Sequence, residues 1–455
     1  MQSNILNNDT ICAIATPHGM GAIAVIRISG SESFPVVANL FSQNGKPFDV
    51  TKAVSHRAYF GQIMADGEMI DEVLVTFFKG PHSFTGEDSV EISVHGSTYI
   101  QQRLLEVLIS RGIRMAEAGE YTRRAFVNRK FDLAQAEAIA DLISSESQAA
   151  HRLAISQMKG GFSKELQVMR SKLVEISALM ELELDFSEED VEFADRTKLN
   201  ALLDESLSHI GRLTDSFRMG NAIKNGIPVA IVGATNAGKS TLLNALLGEE
   251  RAIVSDIAGT TRDTIEETLN LDGTLFRFID TAGLRETAET IEKIGIERTM
   301  QKMKDATIVI GLLDINDMEL DKTAEAIASK INPKEQHLIL ALNKVDQRND
   351  LPSTPYLPIS AKTGFGLDEL KAQLSQCCPK IGSETTLVTN MRHFEALRKA
   401  RNSLLEVKKG LEVGLSTDLI TQDLRQALYY LGSITGEITT DEVLGTIFSR
   451  FCIGK

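Results

Sequence analysis

Residues Gly233-Ala-Thr-Asn-Ala-Gly-Lys239-Ser240 match the pattern GxxxxGK[ST], and their flanks decide how they are read. The apolar run Val229-Ala-Ile-Val232 precedes them, and Thr241-Leu-Leu-Asn-Ala-Leu-Leu247 follows. The order is strand, glycine loop, helix. A loop without bulky side chains lets successive backbone N–H groups wrap a phosphate chain, and the helix N-terminus adds the positive end of its dipole. Lys239 is then placed to neutralise β- and γ-phosphate oxygens, and the Ser240 hydroxyl to ligate Mg²⁺. A glycine-rich loop with an incidental lysine would not come with both flanking elements.

Outward from this loop, the chain is too long for one core. Its 455 residues imply about three domains. With 43% hydrophobic and 24% charged residues, it has the composition of a globular protein. No apolar run approaches membrane-spanning length, and Met1-Gln-Ser-Asn-Ile-Leu-Asn-Asn-Asp9 has no basic region ahead of an apolar one. Cys12, Cys377, Cys378 and Cys452 are too sparse for a disulfide frame or a zinc site, which points to a reducing cytoplasm. The net charge of −14 argues against nucleic-acid binding over the whole surface. A local patch at Arg123, Arg124, Arg129 and Lys130 stays open, beside the reading of a solvated helix face.

Residues 1–121 alternate β-like runs with glycine turns, as in Ala22–Ile28, Glu72–Phe78 and Ser89–Val94, with one amphipathic helix at Tyr99–Ser110. This predicts an α+β domain. Residues 122–225 change to helical spacing (Leu133, Ala136, Ile139, Ala140, Ile143) with little glycine and no proline. Glu188–Glu192 is an acidic interruption, a turn or a helix start. Residues 226–379 alternate strands and helices, which predicts a mainly parallel sheet. Helical spacing resumes over 380–455, so the nucleotide domain is expected to be inserted into one helical domain.

Further motifs follow the loop in order. Gly259-Thr-Thr-Arg-Asp263 offers Thr261 as a second Mg²⁺ ligand. Asp280-Thr281-Ala282-Gly283 follows a strand, so Asp280 can reach Mg²⁺ through water and the Gly283 N–H can sense the γ-phosphate. In Asn343-Lys344-Val-Asp346 the carboxylate can accept guanine's N1–H and exocyclic amine, while Lys344 lies along the base. Adenine would leave that acid unpaired. Ser360-Ala361-Lys362 places a backbone N–H near guanine O6. One such motif is weak; the ordered set, each after a strand, makes the base guanine.

Two absences matter. Leu284 stands where Ras-like switches carry the glutamine that orients the attacking water, and no arginine finger is evident. Glu292, in a polar segment downstream, could order water or could be surface-helix charge. The Asn236 side chain could hold a monovalent cation beside the phosphates, with carbonyls of the Ser255–Thr260 loop completing its shell.

Together with Phe131-Asp-Leu-Ala-Gln-Ala-Glu-Ala-Ile-Ala-Asp-Leu142, Asp256–Asp263, Asp280–Glu286, Ile294-Gly-Ile-Glu-Arg298 and the terminal Phe451-Cys-Ile-Gly-Lys455, these motifs make the chain resemble, over essentially its whole length, the MnmE or TrmE family of tRNA-modifying GTPases. The resemblance implies an N-terminal domain that binds folate and dimerises, a helical domain, and an inserted Ras-like G domain activated by potassium. It implies a homodimer that forms a heterotetramer with the FAD protein MnmG. The pair adds an aminomethyl or carboxymethylaminomethyl group to carbon 5 of the tRNA wobble uridine, using 5,10-methylenetetrahydrofolate in a site that accepts 5-formyltetrahydrofolate-like ligands. Carried onto this sequence, potassium falls to Asn236, Ser255, Ile257 and Thr260, and magnesium to Ser240 and Thr261. The catalytic set is Glu292, Lys239 and Asn236. GTP contacts fall on Asn236, Ala237, Gly238, Lys239, Ser240, Thr241, Ser255, Asp256, Ile257, Ala258, Gly259, Thr260, Thr261, Asp280, Thr281, Ala282, Gly283, Asn343, Lys344, Asp346, Ser360, Ala361 and Lys362. Folate contacts fall on Arg27, Glu87, Lys130 and Lys455, a carboxylate for the pterin's donor edge and cations for the folate carboxylates.

The phosphate loop departs from the family's usual Gly-Arg-Pro-Asn: it reads Gly233-Ala-Thr-Asn236, so any contact of that arginine is lost. Cys452 is a poor match for prenylation, since Ile-Gly-Lys follows it. It either acts chemically near the folate or is a structural cysteine. The competing function is a stand-alone regulatory GTPase switch in ribosome assembly, which predicts an RNA-binding module after the G domain. No such module is evident.

Overall fold

The computed structural model describes residues 9–185, 196–248, 267–279, 303–348, 353–378, 386–449, 451 and 453–454. The chain forms two compact units. One is drawn from Met1–Ala140, Met158–Arg170 and Leu428–Lys455, the other from Asp141–Gln157 and Ser171–Ala427.

The first unit is built on β1 (Ile11–Ile14), β2 (Ile23–Ser29), α1 (Ser33–Leu40), β3 (Phe41–Gln43), β4 (Lys46–Pro47), β5 (Ala58–Ala65), β6 (Glu68–Phe78), β7 (Ser89–His95), α2 (Thr98–Ser110), β8 (Arg114–Met115) and α3 (Glu120–Val127). The strands form one sheet in the order β4-β3-β5-β6-β7-β2-β1-β8, antiparallel except where β8 joins β1. Period-two alternation divides its faces. On β2, Ala24, Ile26 and Ile28 enter a core with Val37 and Leu40 of α1 and Leu104, Val107 and Leu108 of α2. Arg27 and Ser29 therefore point to the opposite face, where a small cluster of Ile11, Ala13, Ala116 and Tyr121 lies. The expected α+β domain is present, and α2 begins one residue before the predicted helix.

Five helices follow in the chain: α4 (Leu133–Ile143), α5 (Gln148–Met158), α6 (Gly161–Asp185), α7 (Arg196–Asn225) and, after a strand, α8 (Lys239–Gly248). The acidic Glu188–Glu192 segment lies outside the described residues. That strand is β9 (Ile227–Gly233), and the remaining nucleotide-domain elements are β10 (Glu267–Leu271), β11 (Thr274–Phe278), β12 (Ile308–Asp314), α9 (Leu320–Ala328), β13 (His337–Asn343), β14 (Leu357–Pro358) and α10 (Leu367–Gln376). Their sheet runs β10-β11-β9-β12-β13-β14, with only β10 antiparallel. The apolar run of β9 is continuous because both its faces are covered. Ile227 and Val229 face α8 and α10, whereas Ala230 and Val232 face α9. Strand order reverses on the two sides of β9, so the loop at its carboxyl end opens at a topological switch point, where ligands of such sheets bind.

The chain ends in α11 (Met391–Glu412), α12 (Thr417–Thr435) and α13 (Asp441–Phe448). In the second unit α11 packs along α7, and Phe217 stacks on Phe394 at 4.5 Å between ring centroids. In the first unit α13 lies on α3, with Phe448 against Phe126 and Phe451. Gly119 adopts φ 67° under the Phe448 carbonyl, which a Cβ would strike. Ala118 and Ile453 form an isolated antiparallel bridge just ahead of α3.

Candidate functional site

The phosphate loop is held from three directions. Gly233 closes on β12 so tightly that a Cβ would collide with the Leu312 carbonyl. Asn236 and Gly238 take left-handed backbone angles, φ 68° and 98°, which turn the chain into α8. Asn tolerates that region better than most residues with a Cβ, and its exposed side chain stands at the loop tip. Lys239 folds back, its Nζ donating to the carbonyls of Gly233 (3.0 Å) and Ala234 (2.9 Å). Its ammonium thus sits over the cradle's own carbonyls, within reach of an incoming phosphate.

Asn343, the first residue of the guanine motif, is 2% exposed and points away from solvent. Its Nδ2 donates to the Ala237 carbonyl at 2.8 Å, and its Oδ1 accepts the Ala361 N–H at 2.9 Å. One amide therefore ties the phosphate loop to Ser360-Ala361-Lys362. Asp346 is exposed, and one of its oxygens accepts the buried Ser360 hydroxyl at 2.7 Å. That bond leaves the second carboxylate oxygen directed by the first. The Ser360 Oγ also accepts the Thr363 N–H, which shapes the turn holding exposed Lys362.

Lys344 shows a partner that sequence reasoning missed. Its backbone is left-handed, φ 67°, and its Nζ donates to Asp314 Oδ2 at 2.6 Å. Asp314 ends β12, next to the end of β13 in register. Burial works to raise its carboxyl, but the Lys344 ammonium and the Asn316 amides outweigh that and hold it below the usual carboxylate range. The anchored ammonium lays out the aliphatic stem, as a platform for a flat base requires. An acid closing a buried strand was the available signal, and no motif marks it.

Other expected contacts lie outside the described residues: Ser255, Asp256, Ile257, Ala258, Gly259, Thr260, Thr261, Asp280, Thr281, Ala282, Gly283, Glu292, Cys452 and Lys455. Ser240 and Thr241 open α8, as the pattern requires.

A second cluster forms on the far face of the N-terminal sheet. Arg27 makes two bonds to Glu91 across the β2–β7 pair (2.8 and 3.0 Å), donates to the Gly454 carbonyl at 3.4 Å, and lies over the rings of Phe84 and Tyr121. Glu87 accepts from the Ser29 hydroxyl at 2.8 Å and from Arg124 at 3.1 Å. Lys130 donates to the Pro81 carbonyl at 2.7 Å, in the same 80–88 loop that carries Phe84 and Glu87. The contact through its carbonyl brings Gly454 to Arg27. Three of the four expected folate residues are thus gathered around one loop, and the residue before the fourth is there too.

The structure overturns the basic patch at Arg124. Arg124 is neither a solvated face nor a free cation: it is 8% exposed and bonds Asp9, Glu87 and Glu120. Burial opposes its charge, and the two glutamates outweigh burial, raising its pKa. Glu120 is 1% exposed; burial pushes its carboxyl up, but Arg114, the Glu117 N–H and Arg124 bring it below the ordinary value. Arg114 also bonds Asp9, lowering that carboxyl. The helical pattern of α3 conceals this network, because its partners come from residues 9, 87 and 114. On the same sheet, burial pushes the Cys12 thiol up to about 12, which makes it an inert core residue.

Comparison with known proteins now decides the identity. A family model described as the MnmE helical domain matches residues 133–452, and one described as GTP-binding protein TrmE N-terminus matches residues 10–130. The chain is 52% identical over 467 residues to the tRNA modification GTPase MnmE of Porphyromonas gingivalis, covering 99% of this chain and 98% of that protein. The chain belongs to the MnmE family of tRNA modification GTPases. The like-named proteins of Bacteroides fragilis (52% over 470 residues) and Flavobacterium johnsoniae (51% over 469 residues) match 99% of the chain and 100% of their own length. It is therefore a GTP hydrolase of tRNA modification. Among the described residues, no helix is long and apolar enough to cross a membrane.

Proposed function

We propose that the chain is the potassium-activated GTPase half of a wobble-uridine-modifying enzyme, with its four segments divided at 121, 225 and 379. It dimerises through the N-terminal domain, pairs with the FAD protein MnmG in a cytoplasmic heterotetramer, and helps add an aminomethyl or carboxymethylaminomethyl group to carbon 5 of the uridine. The observation that carries this reading is the convergence of Arg27, Glu87 and Lys130 around one loop, with Gly454 at Arg27. Their chemistry fits a reduced folate: a carboxylate for the pterin's donor edge, cations for the glutamate tail, and Phe84 beside them. When bound, 5,10-methylenetetrahydrofolate supplies the one-carbon unit.

In hydrolysis, Asp346 selects guanine by accepting two hydrogens, and Lys344 supports the base plane. Lys239 leaves its own loop carbonyls to neutralise the β- and γ-phosphate oxygens. Ser240 and Thr261 would hold Mg²⁺, and Asn236 with Ser255, Ile257 and Thr260 would hold K⁺; both ions supply positive charge against the phosphates. Glu292 orients water for attack on the γ-phosphorus, releasing phosphate and GDP. Mass spectrometry of wobble uridine in tRNA from cells lacking the protein tests the whole reading. Loss of the 5-substituent is expected; an unaltered modification level would overturn it.

A further inference from the structure

Glu87 is set by its surroundings to a degree that a surface carboxylate does not require. Ser29, Thr85 and Ser89 form a closed group of hydroxyls beneath it, 0%, 0% and 5% exposed. Their oxygens lie 2.7 Å (Ser29–Thr85) and 3.2 Å (Thr85–Ser89 and Ser89–Ser29) apart. A hydroxyl has one proton to give. The Ser29 proton goes to Glu87 Oε2 at 2.8 Å, so the Thr85 hydroxyl must donate to Ser29. Thr85 in turn accepts the Glu87 N–H at 3.3 Å. The loop's own backbone thus closes a relay that delivers one donor to its carboxylate. From the other side Arg124 Nη1 reaches the same oxygen at 3.1 Å, and Oε1 only at 3.4 Å. Oε2 is occupied twice, and Oε1 keeps acceptor capacity for a ligand.

We infer that Ser29 and Arg124 are positioning residues for Glu87, fixing its carboxylate so that it receives the amino-pyrimidinone donor edge of a reduced pterin. Neither touches the ligand; each acts through Glu87. This rests on the folate reading of the preceding section. Arg124 adds a second consequence. It is held by Asp9 and Glu120, so the rotamer of Glu87 is set by the same network that joins the segment before β1 to α3.

The test is equilibrium binding of 5-formyltetrahydrofolate, and of an analogue whose pteridine 2-amino group is replaced by methyl, to the full chain and to Ser29→Ala and Arg124→Lys. Loss of one charge-assisted hydrogen bond is expected to weaken the formylfolate about fivefold to twentyfold in either variant. Against the analogue, which lacks the donor Glu87 receives, the loss is expected to stay under about twofold. Ser29→Ala removes one oxygen atom, so it keeps the test decisive if Arg124→Lys fails to fold; melting curves report that. Equal losses against both ligands, or none against either, overturn the positioning role while leaving the folate site intact. If the unaltered chain binds neither ligand, the folate reading falls, and this inference with it.

Discussion

Asn343 Nδ2 donates to the carbonyl of Ala237 at 2.8 Å, across 106 residues of chain. The same amide receives the Ala361 N–H, so Asn343 braces two loops against each other. Asn343→Ala would orphan a buried carbonyl and a buried N–H together, at a cost of about 2–4 kcal/mol. GDP release measured by stopped-flow fluorescence should accelerate at least about tenfold, with a lower denaturant midpoint. Gly238→Ala should act in the same direction, because its φ is 98° and its Cβ would collide with the Asn343 amide. Unchanged GDP release in both variants would separate the brace from nucleotide affinity.

On the proposed reading, Asp346 selects the base by charge and geometry. It is exposed, with one oxygen turned by Ser360. Asp346→Asn replaces one acceptor by an amide donor, which faces guanine's exocyclic amine with like polarity. GTP affinity is expected to fall about a hundredfold or more, whereas xanthosine triphosphate, with a carbonyl there, should gain. Competition binding with the two nucleotides measures it. Retained preference for GTP would move base selection to another residue.

The Asp9–Arg114–Glu120–Arg124 network predicts the acid behaviour of the N-terminal unit. Asp9 and Glu120 are both lowered in the folded state. Groups lowered on folding bind fewer protons folded than unfolded, so their stabilisation is present above the unfolded values near 4 and is lost as pH falls through the folded ones. Thermal unfolding should therefore be flat from neutral pH to about 5 and then fall. Glu120→Gln should cost about 3–5 kcal/mol near neutral pH, because Arg114 and Arg124 lose a buried partner, and should flatten the acid limb. A variant with the parent's acid limb would assign that limb to other carboxylates.

What could be read from the chain follows from how local each signal is. The β9–loop–α8 order was legible because glycine spacing, an apolar run and a helix lie within about twenty residues. The β2, β6 and β7 strands were legible from alternation, although their second face was not: Arg27 and Ser29 look alike in a pattern until their cross-sheet partners are known. Arg124 reads as one of four clustered cations; Glu120 lies one helical turn before it, but only Asp9 and Glu87, far away in sequence, make it a buried structural charge. Ile143 continues the apolar repeat of α4 yet is 47% exposed, since periodicity marks a helix face without saying how far along the helix that face is covered. Asp314 had only the weak signal of an acid closing an apolar run, because its meaning depends on register with β13.

Catalysis provides the last expectation, and it concerns what replaces the missing glutamine at Leu284. If Asn236 holds a monovalent cation, hydrolysis should be about tenfold or more faster in potassium than in sodium at equal ionic strength, because the smaller ion cannot span the same oxygens. Asn236→Ala should abolish that difference at a stability cost of about 1 kcal/mol, since its side chain is exposed and only its left-handed backbone disfavours Ala. Glu292→Ala isolates the other half of the mechanism. Removing a group that orients water lowers turnover by about a hundredfold or more without touching the binding of GTP, which should stay within about twofold. The two variants are separable because the cation effect acts on phosphate charge and the glutamate on the nucleophile. Equal rates in the two salts would return Asn236 to a purely conformational role, suited to its left-handed backbone. Unchanged turnover in Glu292→Ala would leave it as surface charge, and water would then have to be oriented by backbone groups of the loops around it.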